Sequence, residues 1–279
     1  MTIRIVTDST CDLPAETIQR HGIHVVPLYI NVGNKGYLDG VDMTRAEFYK
    51  RLPTFPSHPT TAVPSAQKFH AIYDALAEEG ASHILSIHIS AALSAVVDIA
   101  QVAARETPST LVTVLDSRQL SLGTGFLVET AALMAAAGSS IAEILTALEQ
   151  QIKRSHVFAA LDTLEFLRRS GRMNRFMANM GALLQLKPIM TMHDGTPGSE
   201  RVRTRERATK RLIEMLHDVG EIERVAIVHT HAPERISDLL TQAASLLPAG
   251  PILQEDITPV IGVHIGPGAA GFAVVAAQG

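Results

Sequence analysis

His264 stands inside the densest glycine run of the chain, Gly262-Val263-His264-Ile265-Gly266-Pro267-Gly268. Glycine reaches positive φ and admits a ligand close to the backbone, and proline stiffens the turn. Together they present an imidazole beside an amide-lined concavity, one way to hold a small anion. A Gly-rich turn that closes the last strand is the plainer reading. Hydroxyls and cations recur at junctions elsewhere. Asp8-Ser9-Thr10 follows the first apolar run, where open α/β sheets bind ligands, although an Asx or Ser/Thr turn leaves the same signature. Thr61 lies in Thr60-Thr61-Ala62-Val63-Pro64-Ser65, ahead of a helix that Ser65 caps. Ser90 and Ser94 mark a strand-to-helix junction, Ile89-Ser90-Ala91-Ala92-Leu93-Ser94. Free helix amides there favour an anion, and ordinary capping explains the serines equally well. Arg168 and Arg169 suit a helix C-terminus with Gly171 at C′, which leaves Arg172 for a ligand. Arg201, Arg203, Arg205 and Arg207 alternate, so they share one face if the stretch is extended. A solvated face is the usual meaning of such a run.

Several chemistries lack their signals. The twelve histidines include no HExxH pattern, and the single cysteine, Cys11, rules out an intrachain disulfide and a cysteine-based zinc cluster. No GxxxxGK[ST], no GxGxxG after the first strand and no GxSxG occurs. Neither a cofactor nor a metal is expected. Net charge is −4, and there is no Trp, which disfavours a nucleic-acid partner. Methionines at positions 173, 177, 180, 190 and 192 suit either a core or an adaptable apolar pocket.

The elements that must position these residues follow from the hydrophobic pattern. Strands are expected at Ile3–Thr7, His24–Ile30, His83–Ile89 and Leu111–Leu115. Helices are expected from Ser65, at Leu93–Ala104, at Ser121–Ala137 and at Ile141–Lys153. Short β-branched strands alternating with helices indicate a parallel sheet covered on both faces. The rhythm changes after residue 153. Ala159–Leu167 and Met173–Leu186 read as helical, Pro188–Met192 as a strand, and His193-Asp194-Gly195 as a hairpin turn. A helix at Thr204–Leu216, another at Pro233–Leu246, and strands at Ile222–His229, Ile252–Asp256 and Phe272–Ala276 complete the pattern. The expected fold is α/β. Residues 1–155 form an N-terminal domain whose parallel sheet is flanked by helices, and residues 156–279 a C-terminal α+β domain with a mixed sheet. The N-terminus becomes polar at once, and the longest apolar stretch, around 126–137, contains Glu129 and is too short to span a bilayer. The expectation is a soluble, cytoplasmic protein with no transmembrane segment.

Taken in order, these runs resemble the DegV family of bacterial fatty-acid-binding proteins. The resemblance rests on Val6-Thr7-Asp8-Ser9-Thr10-Cys11-Asp12-Leu13-Pro14, Thr61–Ser65, Ile89-Ser90 through Leu93-Ser94, and Leu115-Asp116-Ser117. It continues through Leu164-Glu165 to Gly171-Arg172, Lys187-Pro188-Ile189 with Asp194-Gly195, Arg203-Thr204, and the tail from Gly262 to Gly268. It spans nearly the whole chain. It implies a long-chain fatty acid in a buried tunnel between the two domains. It also implies a separate kinase subunit that phosphorylates the fatty acid's carboxylate to an acyl phosphate, the chain itself being non-catalytic. By resemblance the ligand site comprises Thr61, Ser94, His264, Arg172, Arg203, Ser90, Ser9 and Gly266. Four positions depart from the family's usual residues. Ala62, Val63, Ala91 and Val96 replace polar groups near the expected head-group site. Burying about 15 methylenes gains roughly 12 kcal/mol gross at about 0.8 per methylene, much of it offset by ordering and association costs. Two other functions fit the same residues. One is a partner-independent hydrolase or phosphotransferase using Asp8, Ser9 and His264. The other is a regulatory protein that binds another apolar metabolite. The basic segments at 168–175 and 201–211 suit an acidic partner or a transient membrane contact.

Overall fold

The apolar run after Thr2 forms β1 (Ile3–Asp8) in a computed structural model that describes residues 2–176 and 186–278. Then come α1 (Ala15–Arg20), β2 (His24–Val26), β3 (Tyr29–Val32), β4 (Lys35–Leu38), α2 (Arg45–Arg51), β5 (Thr60–Ala62) and α3 (Ala66–Glu78). They are followed by β6 (His83–His88), α4 (Val96–Arg105), β7 (Leu111–Asp116), α5 (Leu122–Ala136) and α6 (Ile141–Arg154). The chain continues through β8 (Ser155–Ala160), α7 (Glu165–Arg169), α8 (Met173–Phe176), β9 (Lys187–His193), β10 (Thr196–Val202) and α9 (Arg205–Asp218). It ends with β11 (Ile222–His229), α10 (Pro233–Ala243), β12 (Leu253–Asp256), α11 (Pro259–Ile265) and β13 (Ala270–Ala276).

The first sheet has the order β2-β1-β6-β7, and every pairing is parallel. All six residues of β6 are buried, as a parallel strand covered on both faces requires. Val6 and Ile84 pack towards Phe69, Tyr73 and Leu76 of α3 and Val96 and Ala100 of α4. On the opposite face Ile5, Leu85 and Ile87 meet α5. The second sheet is mixed, with order β10-β9-β8-β13-β11-β12, and only β11 and β12 run parallel. Helix α5 lies between the two sheets, which explains its composition. Every residue from Leu122 to Val128 is buried, and a helix that is apolar all round belongs in an interior. Helices α9 and α10 cover the far face of the second sheet through Leu212, Leu216, Ile236 and Leu239. A small antiparallel sheet, β4-β3-β5, carries Thr61 on its last strand.

The structure corrects several expected elements. The run His24–Ile30 is two strands, broken at Pro27, because proline cannot donate to a ladder. Ala159 and Ala160, expected in a helix, end β8, which is paired on both sides by β9 and β13. Helix α4 begins at Val96, three residues later than expected at Leu93. Arg205 and Arg207 do not continue the alternation of Arg201 and Arg203. Thr204 caps α9, its Oγ1 accepting from the Arg207 amide at 3.1 Å, so these two arginines lie on a helix. The Asp194-Gly195 turn is as expected, with φ values of 41° and 76°. Met177 and Met180 lie outside the described residues. Among the described residues, no helix is long and apolar enough to cross a membrane.

Candidate functional site

A cavity of about 200 Å³ opens where β5, the loop after β6, α7 and α11 meet. Its wall is largely apolar, with Leu28, Val63, Leu93, Leu120, Val260 and Ile261 among its lining residues. Its polar groups include Thr61, Ser94, Arg172 and His264. The Thr61 hydroxyl and Nε2 of His264 lie 3.1 Å apart, although 203 residues separate them in sequence. An engineered apolar cavity of about 150 Å³ in another protein already takes benzene. An apolar wall with a few convergent polar groups is the usual form of a small-molecule site.

Each polar group is placed by a different element. Thr61 is the centre of β5, opposite Ile30 of β3. Ser94 follows a turn in which the amides of Leu93 and Ser94 both donate to the Ser90 carbonyl, at 2.9 and 3.1 Å. Arg172 follows Gly171, whose φ of 71° ends α7, and the Arg172 amide donates to Leu167 O at 3.1 Å. Its guanidinium donates to Ser170 O at 3.0 Å. His264 rides on α11, and four residues of that helix (Val260, Ile261, His264 and Ile265) line the cavity. The concavity expected at Gly262–Gly268 is therefore not an amide nest. The Gly266 amide donates to Gly262 O, the Gly268 amide to Thr230 O and the Ala269 amide to Thr230 Oγ1, each at 2.8 Å. Those donors are spent inside the protein.

The remaining predicted residues lie elsewhere. Ser90 is fully buried, and its hydroxyl accepts from the Ala92 amide at 3.2 Å. Ser9 accepts from the Leu28 amide at 3.2 Å and lines a separate cleft of about 700 Å³. Gly266 turns the chain at φ 73°, where a side chain would strike the Phe166 ring. Arg203 is exposed, outside the cavity lining. Of the four departures from the family pattern, Ala62 and Val63 line the cavity, Ala91 is exposed and Val96 is core. Asp8, Ser9 and His264 do not converge. Asp8 is fully buried and accepts from His88 Nδ1 at 2.9 Å, the Ile89 amide at 3.1 Å and both donors of Thr10. Beyond it, His88 Nε2 lies 2.7 Å from Ser86 Oγ, which accepts from Tyr73 at 2.8 Å. This resembles a catalytic triad in sequence of groups, but it is sealed in the core. Burial pushes the Cys11 thiol up to about 12, so it is not a nucleophile at neutral pH. Among the described residues, no cluster of three histidine, cysteine or acidic groups is arranged to hold a metal.

No sequence pattern points to a buried acidic group beside the wider cleft. Asp12 accepts from Thr258 N at 2.8 Å and Ser121 Oγ at 2.6 Å, with Arg45 Nη2 at 3.3 Å. Asp39 accepts from the Thr258 hydroxyl. Burial drives Asp12 up to about 7, more than Arg45 and the two hydrogen bonds pull it down, and Asp39 adds to the rise. Burial likewise raises Asp39. Of these residues only Asp12 falls in a motif singled out from sequence.

A family profile described as an uncharacterised protein of the DegV family matches residues 2–277. A DegV domain-containing protein of Streptomyces coelicolor is 36% identical over 280 residues, covering 98% of each chain. Among solved structures, a DegV family protein of Thermus thermophilus, described by its fatty acid binding, superposes with a TM-score of 0.90 at 34% identity. It covers 99% of this chain and 100% of its own. DegV of Bacillus subtilis, described as a fatty acid binding protein, gives a TM-score of 0.91 at 29% identity with the same coverage.

Proposed function

The chain belongs to the DegV family, and on that footing we propose that it binds a long-chain fatty acid with the carboxylate at Thr61 and His264. The observation that carries this reading is the cavity, where one polar cluster is set into an apolar wall. A buried carboxylate must be hydrogen-bonded or paired, and Thr61, Ser94, His264 and Arg172 offer hydroxyl, imidazole and guanidinium donors. Ala62 and Val63 extend the apolar wall beside Thr61, so the head group relies on fewer hydroxyls than the family pattern provides. The site then lies between two units, residues 1–155 and 156–279. The protein acts in the cytoplasm as a carrier that presents its ligand to a separate kinase subunit for acyl-phosphate formation. Arg203 and Arg207, both exposed, supply positive charge for contact with that partner.

Native mass spectrometry with lipid extraction tests the binding. One fatty acid per chain is expected, and stripped protein should take up palmitate saturably. No saturable uptake of any long-chain fatty acid would overturn the reading. For the partnership, Arg207→Glu should lower kinase-dependent acyl-phosphate formation and leave palmitate affinity unchanged. Equal loss of both would remove Arg207 from the docking face.

A further inference from the structure

Helix α11 is only seven residues long, too short to hold its own position or even its own conformation in water. It nevertheless supplies four lining residues of the cavity, including His264. Its place must be set from outside, and the contacts at its start show how. Residue Thr258 precedes the helix. Its amide donates to Asp12 and its hydroxyl to Asp39. The neighbouring carbonyls are held as well, Ile257 O by Tyr49 Oη at 2.9 Å and Asp256 O by Arg45. Helix α11 presses so closely on Tyr49 that a methyl group at Gly262 would strike its ring and hydroxyl.

Asp12 is itself rigidly placed. It adopts φ 55°, and its partner Ser121 adopts φ 51°, a left-handed region that costs a side-chain-bearing residue energy. Through one carboxylate Asp12 therefore joins the turn after β1, the start of α5 and the start of α11. A carboxylate is suited to this task because it only accepts, and it can take several donors at once.

We propose that Asp12 and Asp39 are positioning residues for the cavity, which seat Thr258 and, through α11, fix where His264 meets Thr61. The inference rests on the lipid-binding reading for its functional meaning. Neither residue is among the cavity's lining residues; both line the separate cleft.

The test uses the full chain with Thr258→Val and Thr258→Ser. Valine removes the hydroxyl that Asp39 accepts and keeps the amide that Asp12 accepts. Two quantities are read, the pH titration of the His264 imidazole by NMR and palmitate affinity by calorimetry. T258V should displace the His264 titration and weaken palmitate about tenfold, the size of one lost hydrogen bond to a charged group. T258S should restore both to within about twofold of the parent. An unchanged His264 titration in T258V overturns the inference whatever the affinity or melting temperature does, as does a displaced titration that serine fails to restore. If T258V does not fold, Asp39→Ala is read by the same two criteria. Should the parent protein bind no palmitate, the lipid reading falls. The His264 titration still decides the positioning role.

Discussion

Asp8 and Asp12 sit four positions apart in one motif, both buried, and their surroundings drive them in opposite directions. Burial raises both. At Asp8 it is outweighed by the hydrogen bond and charge of His88 and by donors from Thr10 and Ile89, so the carboxyl falls below its ordinary value. At Asp12 burial prevails over Arg45, Ser121 and Thr258, with Asp39 pushing the same way as burial. The difference lies in supply. Asp8 accepts four hydrogen bonds from three residues, whereas Asp12 accepts two and shares its guanidinium with Glu255. A buried charge is stabilised by the donors that converge on it, and the same sequence motif supplies one aspartate and leaves the other short.

The comparison can be broken most severely at Asp8. Asp8→Ala strands the His88, Ile89 and Thr10 donors in the core and is expected to cost about 4 kcal/mol in urea unfolding. A loss below about 1 kcal/mol would show that the relay through Ser86 and Tyr73 needs no carboxylate.

The next effect is one of sign with pH. Asp12 has a folded value near 7, above the value of about 3.9 expected for an unfolded aspartate. Its contribution to stability is thus fully present below about pH 4 and lost as pH rises to 7. Asp8 has a depressed folded value, so its contribution is present above about pH 4 and lost as pH falls through that folded value. Relative to the parent, Asp12→Asn should therefore gain stability between pH 4 and 7, while Asp8→Asn shows no such gain. Differences against the parent are needed because His156 is lowered to about 4 by burial and by the stacked His193. That histidine makes the parent lose stability as pH falls from about 6.5 to 4. Parallel curves for the two variants would collapse the distinction.

The smallest effect concerns Ser121, at φ 51° and ψ −141°. Ser121→Ala keeps the strained backbone and loses the bond to Asp12, for a cost of about 2 kcal/mol. Ser121→Gly loses the same bond and gains conformational relief, so it should be milder by about 1 kcal/mol. An equal cost for both would place no strain at that residue.

Much of this architecture is visible in the sequence. Strand β1, helices α3, α5, α6 and α9, and the Asp194-Gly195 hairpin all carry local patterns that tertiary packing did not override. Strand β8 was not visible at its end, because Ala159 and Ala160 take their conformation from β9 and β13 on either side. The tail reads either as an amide-lined concavity or as a Gly-rich turn that closes the last strand. Its first part, Gly262 to Ile265, belongs to α11, where Gly262 lies against Tyr49, a neighbour that no local pattern reveals. The candidate site divides in the same way. Thr61, Ser94, Arg172 and His264 share one cavity, and motif order could select them. Thr258 and Asp39 stand in no motif, since their importance arises only when residues 219 apart meet.

Strand β13 lies in the middle of its sheet, between β8 and β11, although it follows both of them in sequence. Strands β8 and β11 are therefore both made before the strand that joins them, and each has an unpaired edge until it arrives. Helix α11 precedes β13 directly, so the cavity wall that bears His264 is made after β11 and just ahead of that join. A fragment that stops before residue 270 lacks the strand that joins β8 to β11, and so has no continuous second sheet behind α5.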